Sequence, residues 1–144
     1  MLFRSALLGH DAVAFAGAIG QPDAHSGELP CSYVELVDGA DISEVALLEY
    51  ANNNISEPGA KPKYLEVLDE LPKTAVGKVF KPDLRKMAIT RVYNETFEAT
   101  QMDAKVTSVE DDKKLGLTAK INGNASDEEI GTALQDFVGA WKKA

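Results

Sequence analysis

From Leu71 to Lys78 the chain reads Leu-Pro-Lys-Thr-Ala-Val-Gly-Lys, and a run with helical spacing follows Val79-Phe80-Lys81-Pro82. Pro72 fixes one backbone torsion and Gly77 frees another, so this stretch is a shaped loop and not the interior of a helix or strand. Lys78 is thereby held on a defined arm. Its ammonium is a compact charge on a four-carbon stem, suited to meeting a phosphate or carboxylate oxygen that approaches from another surface.

The flanking elements follow from periodicity. Leu2 to Leu8 has the apolar spacing of a short helix with no capping residue before it, and so reads as a helix already in progress. Ala12–Ile19 is an apolar run of strand length, and Gly20-Gln21-Pro22-Asp23 has the composition of a turn. Cys31–Val37 alternates like a half-buried strand closed by Asp38-Gly39. Ser43 or Asp41 can cap a helix over Glu44–Asn54, with Val45, Leu48, Ala51 and Ile55 on its apolar face and Pro58-Gly59 beyond its end. A short strand over Lys63–Leu68 delivers the chain into the loop, and Pro82 suits the first turn of a helix through Leu84, Met87, Ala88 and Val92 to Phe97. The sum is an α+β unit of about 90 residues, a small mixed sheet of about three strands flanked by helices.

Beyond it, Lys105–Val109 and Leu115–Ile121 are expected strands joined by the turn Glu110-Asp111-Asp112-Lys113-Lys114. Ser126 and Glu129 have the spacing of a capping box for a final helix through Ile130, Leu134, Phe137, Val138 and Trp141. The 144 residues therefore divide into 1–90 and a strand-strand-helix extension over 91–144. The extension is expected to pack on the first unit as a lid, or to form an oligomer contact.

Charge is unevenly placed. Residues 1–60 hold one basic residue against nine acidic ones, residues 61–86 hold seven against four, and residues 91–144 hold seven against ten. A positive island within a chain of net charge −8 coincides with the loop. So acidic a chain is a poor partner for nucleic acid, whose binding rests on many phosphate contacts, whereas one small anion at the island fits. No run approaches the roughly 20 apolar residues of a membrane span, and Met1-Leu2-Phe3-Arg4 lacks the design of a signal peptide, so a soluble, cytoplasmic protein is expected.

Other candidate sites are weaker. Gly77-Lys78 is no phosphate-binding loop of the Walker type, because Pro72 occupies the place of its first glycine and Val79 that of its hydroxyl residue. Asp23, His25 and Glu28 read as turn formers, and two histidines in the whole chain leave no second imidazole at metal-binding spacing. Cys31 opens a strand pattern and reads as a buried structural thiol. Phe137, Val138 and Trp141 read as one core-facing side of the last helix.

The segments His10-Asp11-Ala12-Val13, Ala18-Ile19-Gly20-Gln21-Pro22-Asp23, Ser26-Gly27-Glu28, and above all Asp69–Lys78 through Leu84-Arg85, resemble the C-terminal domain of the adenylate-forming (AMP-binding) acyl-CoA synthetases. That family's pattern LPKTxxGKxxxxxLR is met at Leu71, Pro72, Lys73, Thr74, Gly77, Lys78, Leu84 and Arg85. The resemblance covers roughly residues 1–90, the span of one small domain.

It implies a two-step ligase in which ATP, with Mg2+ on it, and a fatty or aryl carboxylic acid give an acyl-adenylate, which CoA then converts to a thioester. It also implies that Lys78 is the adenylation lysine, supported by Thr74 and Gly77, in an active site shared with an N-terminal adenylation domain of the same polypeptide. This stretch alone would be folded, inactive and without bound cofactor or metal. Two positions depart from the pattern: Lys81 stands where arginine is common, and Ala60 where a lysine often precedes the Pro62-Lys63 pair. The family reading also expects a large domain, a hinge and a glycine-bearing loop ahead of Met1. The rival readings are a non-catalytic interaction module using the acidic face and the Trp141 helix, and a related ligase that loads a carrier protein.

Overall fold

The computed structural model describes residues 7–55 and 62–144. By its internal contacts the chain divides into two compact units, Met1–Gly20 with Leu29–Leu84, and Gln21–Glu28 with Arg85–Ala144. Each is α+β and each carries a three-stranded sheet.

The first sheet has the order β1 (Val13–Asp23), β2 (Gly27–Leu36), β3 (Tyr64–Leu68). Strands β2 and β3 run parallel, with Cys31 opposite Tyr64 and Glu35 opposite Leu68. A parallel pair needs a crossover, and helix α1 (Glu44–Asn53) supplies it. Ser43 rather than Asp41 caps α1, its hydroxyl accepting from Ala46 N at 3.1 Å. Leu47, Ala51 and, partly, Leu48 face the core, together with Leu7, Val13, Ala16, Val34 and Leu65. Val45, expected on that face, is 67 % exposed. The buried stripe is centred on Leu47 and Ala51, one helical turn apart, and Val45 lies roughly a third of a turn away from it. Of the helix expected over Leu2–Leu8, Leu7 and Leu8 are helical; the remainder, like Pro58-Gly59, lies outside the described residues.

Gly20-Gln21-Pro22-Asp23 proves to be strand and not turn. Pro22 is tolerated because β1 is an edge strand of its sheet, where a missing N–H need not break a ladder. The reversal falls after Asp23. Its carboxylate accepts from His25 N (3.1 Å), Ser26 N (2.8 Å) and Ser26 Oγ (2.8 Å), and Gly27 follows at φ 84°. The turn-forming role expected of Asp23 is thus seen one step later in the chain.

Helix α2 (Lys81–Ala99) opens at the expected place, with Pro82 in its first turn. In the second unit, β4 (Lys105–Asp112) and β5 (Gly116–Asn122) pair antiparallel, with an irregularity between Val106 and Ser108. Helix α3 (Asp127–Leu134) carries the capping box in full: Ser126 Oγ accepts from Glu129 N and Glu129 Oε1 accepts from Ser126 N, both at 3.1 Å. It ends at Leu134, short of the expected Trp141. Ala140–Lys143 instead forms β6, parallel to β5, with Trp141 opposite Ala119. Val138, expected to face a core, is 85 % exposed, while the Phe137 ring packs 5.3 Å from that of Tyr93. The extension is therefore strand-strand-helix-strand. Its core gathers Val92, Tyr93 and Phe97 of α2 with Val106, Val109, Ala119, Ile121, Ile130 and Leu134. Among the described residues no helix is long and apolar enough to cross a membrane.

Candidate functional site

The loop after β3 folds back on itself as a miniature hairpin. Lys73 bridges Val79 in antiparallel fashion, and Phe80 N donates to Pro72 O at 2.7 Å. At the tip, Gly77 N donates to Thr74 O (3.0 Å) and Thr74 N to Lys78 O (2.7 Å). A turn whose last residue lies in the left-handed region is a standard short hairpin connection, and Gly77 supplies that residue at φ 83°. Open space surrounds Gly77 on the side a Cβ would occupy, so the demand for glycine here is torsional and not steric. Thr74 Oγ1 accepts from Lys78 N at 3.3 Å, a second tie across the tip.

The base of the hairpin is fixed to the sheet. Leu71 is 1 % exposed and donates its N–H to Glu35 Oε1 at 2.9 Å. The same oxygen receives Lys73 Nζ at 2.7 Å, and that ammonium lies 4.3 Å from the centroid of the Phe15 ring. The hydrogen bond from Lys73 holds the Glu35 carboxyl below its ordinary range; burial opposes this, and the Leu71 N–H and the Lys73 charge reinforce it. At the other limb, a Cβ on Gly17 of β1 would overlap Leu84 Cδ1 and reach 3.1 Å from Val79 Cγ1. A side chain at residue 17 would require Leu84 Cδ1 and Val79 Cγ1, both side-chain ends, to shift.

Lys78 begins the return limb. It is exposed, and among the described residues its ammonium has no hydrogen-bond or ion-pair partner. With Phe15, Gly77, Val79 and Lys81 it lines an open depression of about 440 Å³. Around it Phe15, Val76 and Phe80 are exposed, Val76 by 80 %. The arrangement presents the Lys78 ammonium beside Lys81, in a depression otherwise lined by Phe15, Gly77 and Val79.

The three residues singled out from sequence, Thr74, Gly77 and Lys78, meet within one turn. Lys73 of the positive island is engaged by Glu35 and is not a free cation. Glu35 and Phe15 escaped notice because their partner lies far along the chain, 38 residues away for Glu35. Asp23 is engaged in its turn, Cys31 is fully buried, and Ala60 lies outside the described residues.

The family of AMP-binding enzyme C-terminal domains matches residues 5–78, ending on Lys78 itself. The chain belongs to this family. Marinolic acid–CoA ligase of Pseudoalteromonas sp. (strain SANK 73390) is 36 % identical over 132 residues, 90 % of this chain and 20 % of that protein. The acyl-CoA synthetase of Brucella canis is similar in structure, with TM-score 0.52 and 32 % identity over 58 % of this chain and 16 % of its own. So is the anthranilate CoA ligase AuaEII in complex with anthranoyl-AMP, at TM-score 0.55 and 28 % identity over 62 % and 18 %. The AMP-binding enzyme C-terminal domain described here thus spans about a fifth or less of the length of these relatives. The match to the marinolic acid ligase covers more than residues 1–90 can supply, so that relative shares part of the extension.

Proposed function

We propose that this chain is the C-terminal portion of an AMP-forming acyl-CoA synthetase and that Lys78 is its adenylation lysine. The reading is carried by one observation, the exposed Lys78, without a partner among the described residues, on the return limb of a doubly tied hairpin bearing the family's pattern. In the first half-reaction a carboxylate oxygen attacks the α-phosphorus of ATP, which carries Mg2+, and pyrophosphate leaves. Negative charge gathers where carboxylate and phosphate meet, and the Lys78 ammonium offsets it in a cleft from which water is excluded. In the second, the sulfur of CoA attacks the acyl carbon of the adenylate and AMP leaves. Lys78 has no part in that step, and its withdrawal by rotation of the small domain is the kind of hinge motion such enzymes use.

On this reading residues 1–90 form the mobile domain and residues 91–144 a C-terminal extension to it. The active site is completed by an N-terminal adenylation domain of the same polypeptide, the acid is fatty or aryl, the enzyme works in the cytoplasm, and this chain alone is inactive. The test is ATP–pyrophosphate exchange by the full-length polypeptide. Lys78→Ala should lower exchange about 100- to 1,000-fold, the scale on which one transition-state contact acts. Exchange at the wild-type rate would refute the assignment.

A further inference from the structure

We propose that Glu35 is the positioning residue that holds Lys78 in register, acting from β2 on the base of the hairpin and touching no substrate. The proposal rests on the adenylation reading of Lys78 and adds to it a residue for which the family's loop pattern has no place. One oxygen, Glu35 Oε1, receives both the backbone N–H of Leu71, at the hairpin's entry, and the ammonium of Lys73, on its first limb. Two of the three residues leading to Thr74 are therefore tied to a single atom of the central strand. Opposite β3, Glu35 is paired with Leu68, three residues before Leu71, so the carboxylate reaches past the strand end to hold the chain where ladder pairing stops.

The consequences run through a short series of contacts. Lys73 is the residue that bridges Val79, the neighbour of Lys78, across the hairpin. Its ammonium is also seated at the Phe15 ring, which lines the same depression as Lys78. Fixing Lys73 by its side chain thus fixes the first limb, against which the return limb carrying Lys78 is paired. The tip itself carries only main-chain bonds and the long tie from Lys78 N to Thr74 Oγ1. Those bonds shape the hairpin but do not attach it to the sheet. A carboxylate is the fitting residue type, since it accepts from an amide and from an ammonium at once and binds the charged donor the more strongly.

Two substitutions separate the effects. Glu35→Gln keeps an acceptor for Leu71 N and loses the charge that holds Lys73; Glu35→Leu loses both. In the full-length polypeptide, pyrophosphate exchange should fall in the order wild type, Gln, Leu, with Glu35→Leu down about 10- to 100-fold, as expected when a reacting group is misplaced by about an ångström. The loss should appear in kcat with KM for ATP little changed, and thioester formation from preformed acyl-adenylate should keep its rate. A merely structural role would depress both half-reactions together. In the 144-residue chain, amide hydrogen exchange at Thr74, Gly77 and Phe80 should quicken in Glu35→Leu while protection in β2 and β3 is kept. If Glu35→Leu exchanges pyrophosphate at the wild-type rate in an enzyme that Lys78→Ala silences, the positioning role is wrong. If Lys78→Ala leaves exchange intact, it is the adenylation reading that fails. The amide measurement then decides whether Glu35 holds the hairpin, and unchanged protection there overturns that as well.

Discussion

Gly17 of β1 lies directly against Leu84 in the first turns of α2, so close that a Cβ at residue 17 would overlap the leucine's Cδ1. Leu84 is fully buried, and Val79, the next residue after Lys78, flanks the same point. Close passage of strand and helix here is what brings the hairpin's return limb onto the sheet. Gly17→Ala should cost about 1–3 kcal/mol, the usual penalty for an added carbon in a packed interior. Urea denaturation of the 144-residue chain checks it, and an unchanged midpoint would mean that Leu84 moves aside freely.

Acid should loosen the hairpin's anchor. The Glu35 carboxyl is held below its ordinary value by Lys73, so it binds a proton less readily folded than unfolded. Its contribution to stability is then fully present above the unfolded value near 4.5 and is lost as pH falls through the lower folded value. Asp23 and Asp112 are lowered too, by turn hydrogen bonds led by Ser26 N–H and Lys114 N–H respectively, and they add a background of the same sign. The diagnostic is therefore a difference. Between pH 6 and pH 3 wild type should lose more stability than Lys73→Met, measured by urea unfolding at each pH.

The capping box of α3 was readable from Ser126 and Glu129 alone, because a cap is a local device with a fixed spacing. Ser126→Ala should cost about 1 kcal/mol. Thermal unfolding of the variant checks this, and a loss confined to probes in α3 would place it in the second unit.

How far the sequence could be read follows from which determinants are local. Ser43, Pro82 and the Leu71–Lys78 pattern each settle their neighbourhood within one or two turns of chain: α1 and α2 appear where they were expected, and the expected loop takes the form of a hairpin. Pro22 misled because its tolerance depends on β1 being an edge strand, which only the assembled sheet decides. Trp141 misled because Phe137, Val138 and Trp141 satisfy helical spacing, whereas their state is settled by β5, some twenty residues earlier, offering a parallel edge. Within the site, Lys78 and its turn were legible. Glu35 was not, since an acidic residue on an alternating strand has the look of a solvated face until Lys73 arrives beside it.

Removing residues 100–144 should do more than shorten the chain. Val92, Tyr93 and Phe97 of α2 are buried in the core that this segment completes, and each stands to lose about 1.5–3 kcal/mol of burial. The deletion should lower helix content beyond the loss of α3 and promote aggregation, read by circular dichroism and light scattering. A monomer with α2 intact would show that α2 does not need the extension.

The role of Lys78 is decided by how its loss divides between the two half-reactions. Lys78→Ala and wild-type full-length polypeptide should be compared in pyrophosphate exchange and in thioester formation from preformed acyl-adenylate. Exchange down about 100- to 1,000-fold with the thioester step near its wild-type rate is the expected result. Equal losses in both steps, or none in exchange, would contradict it.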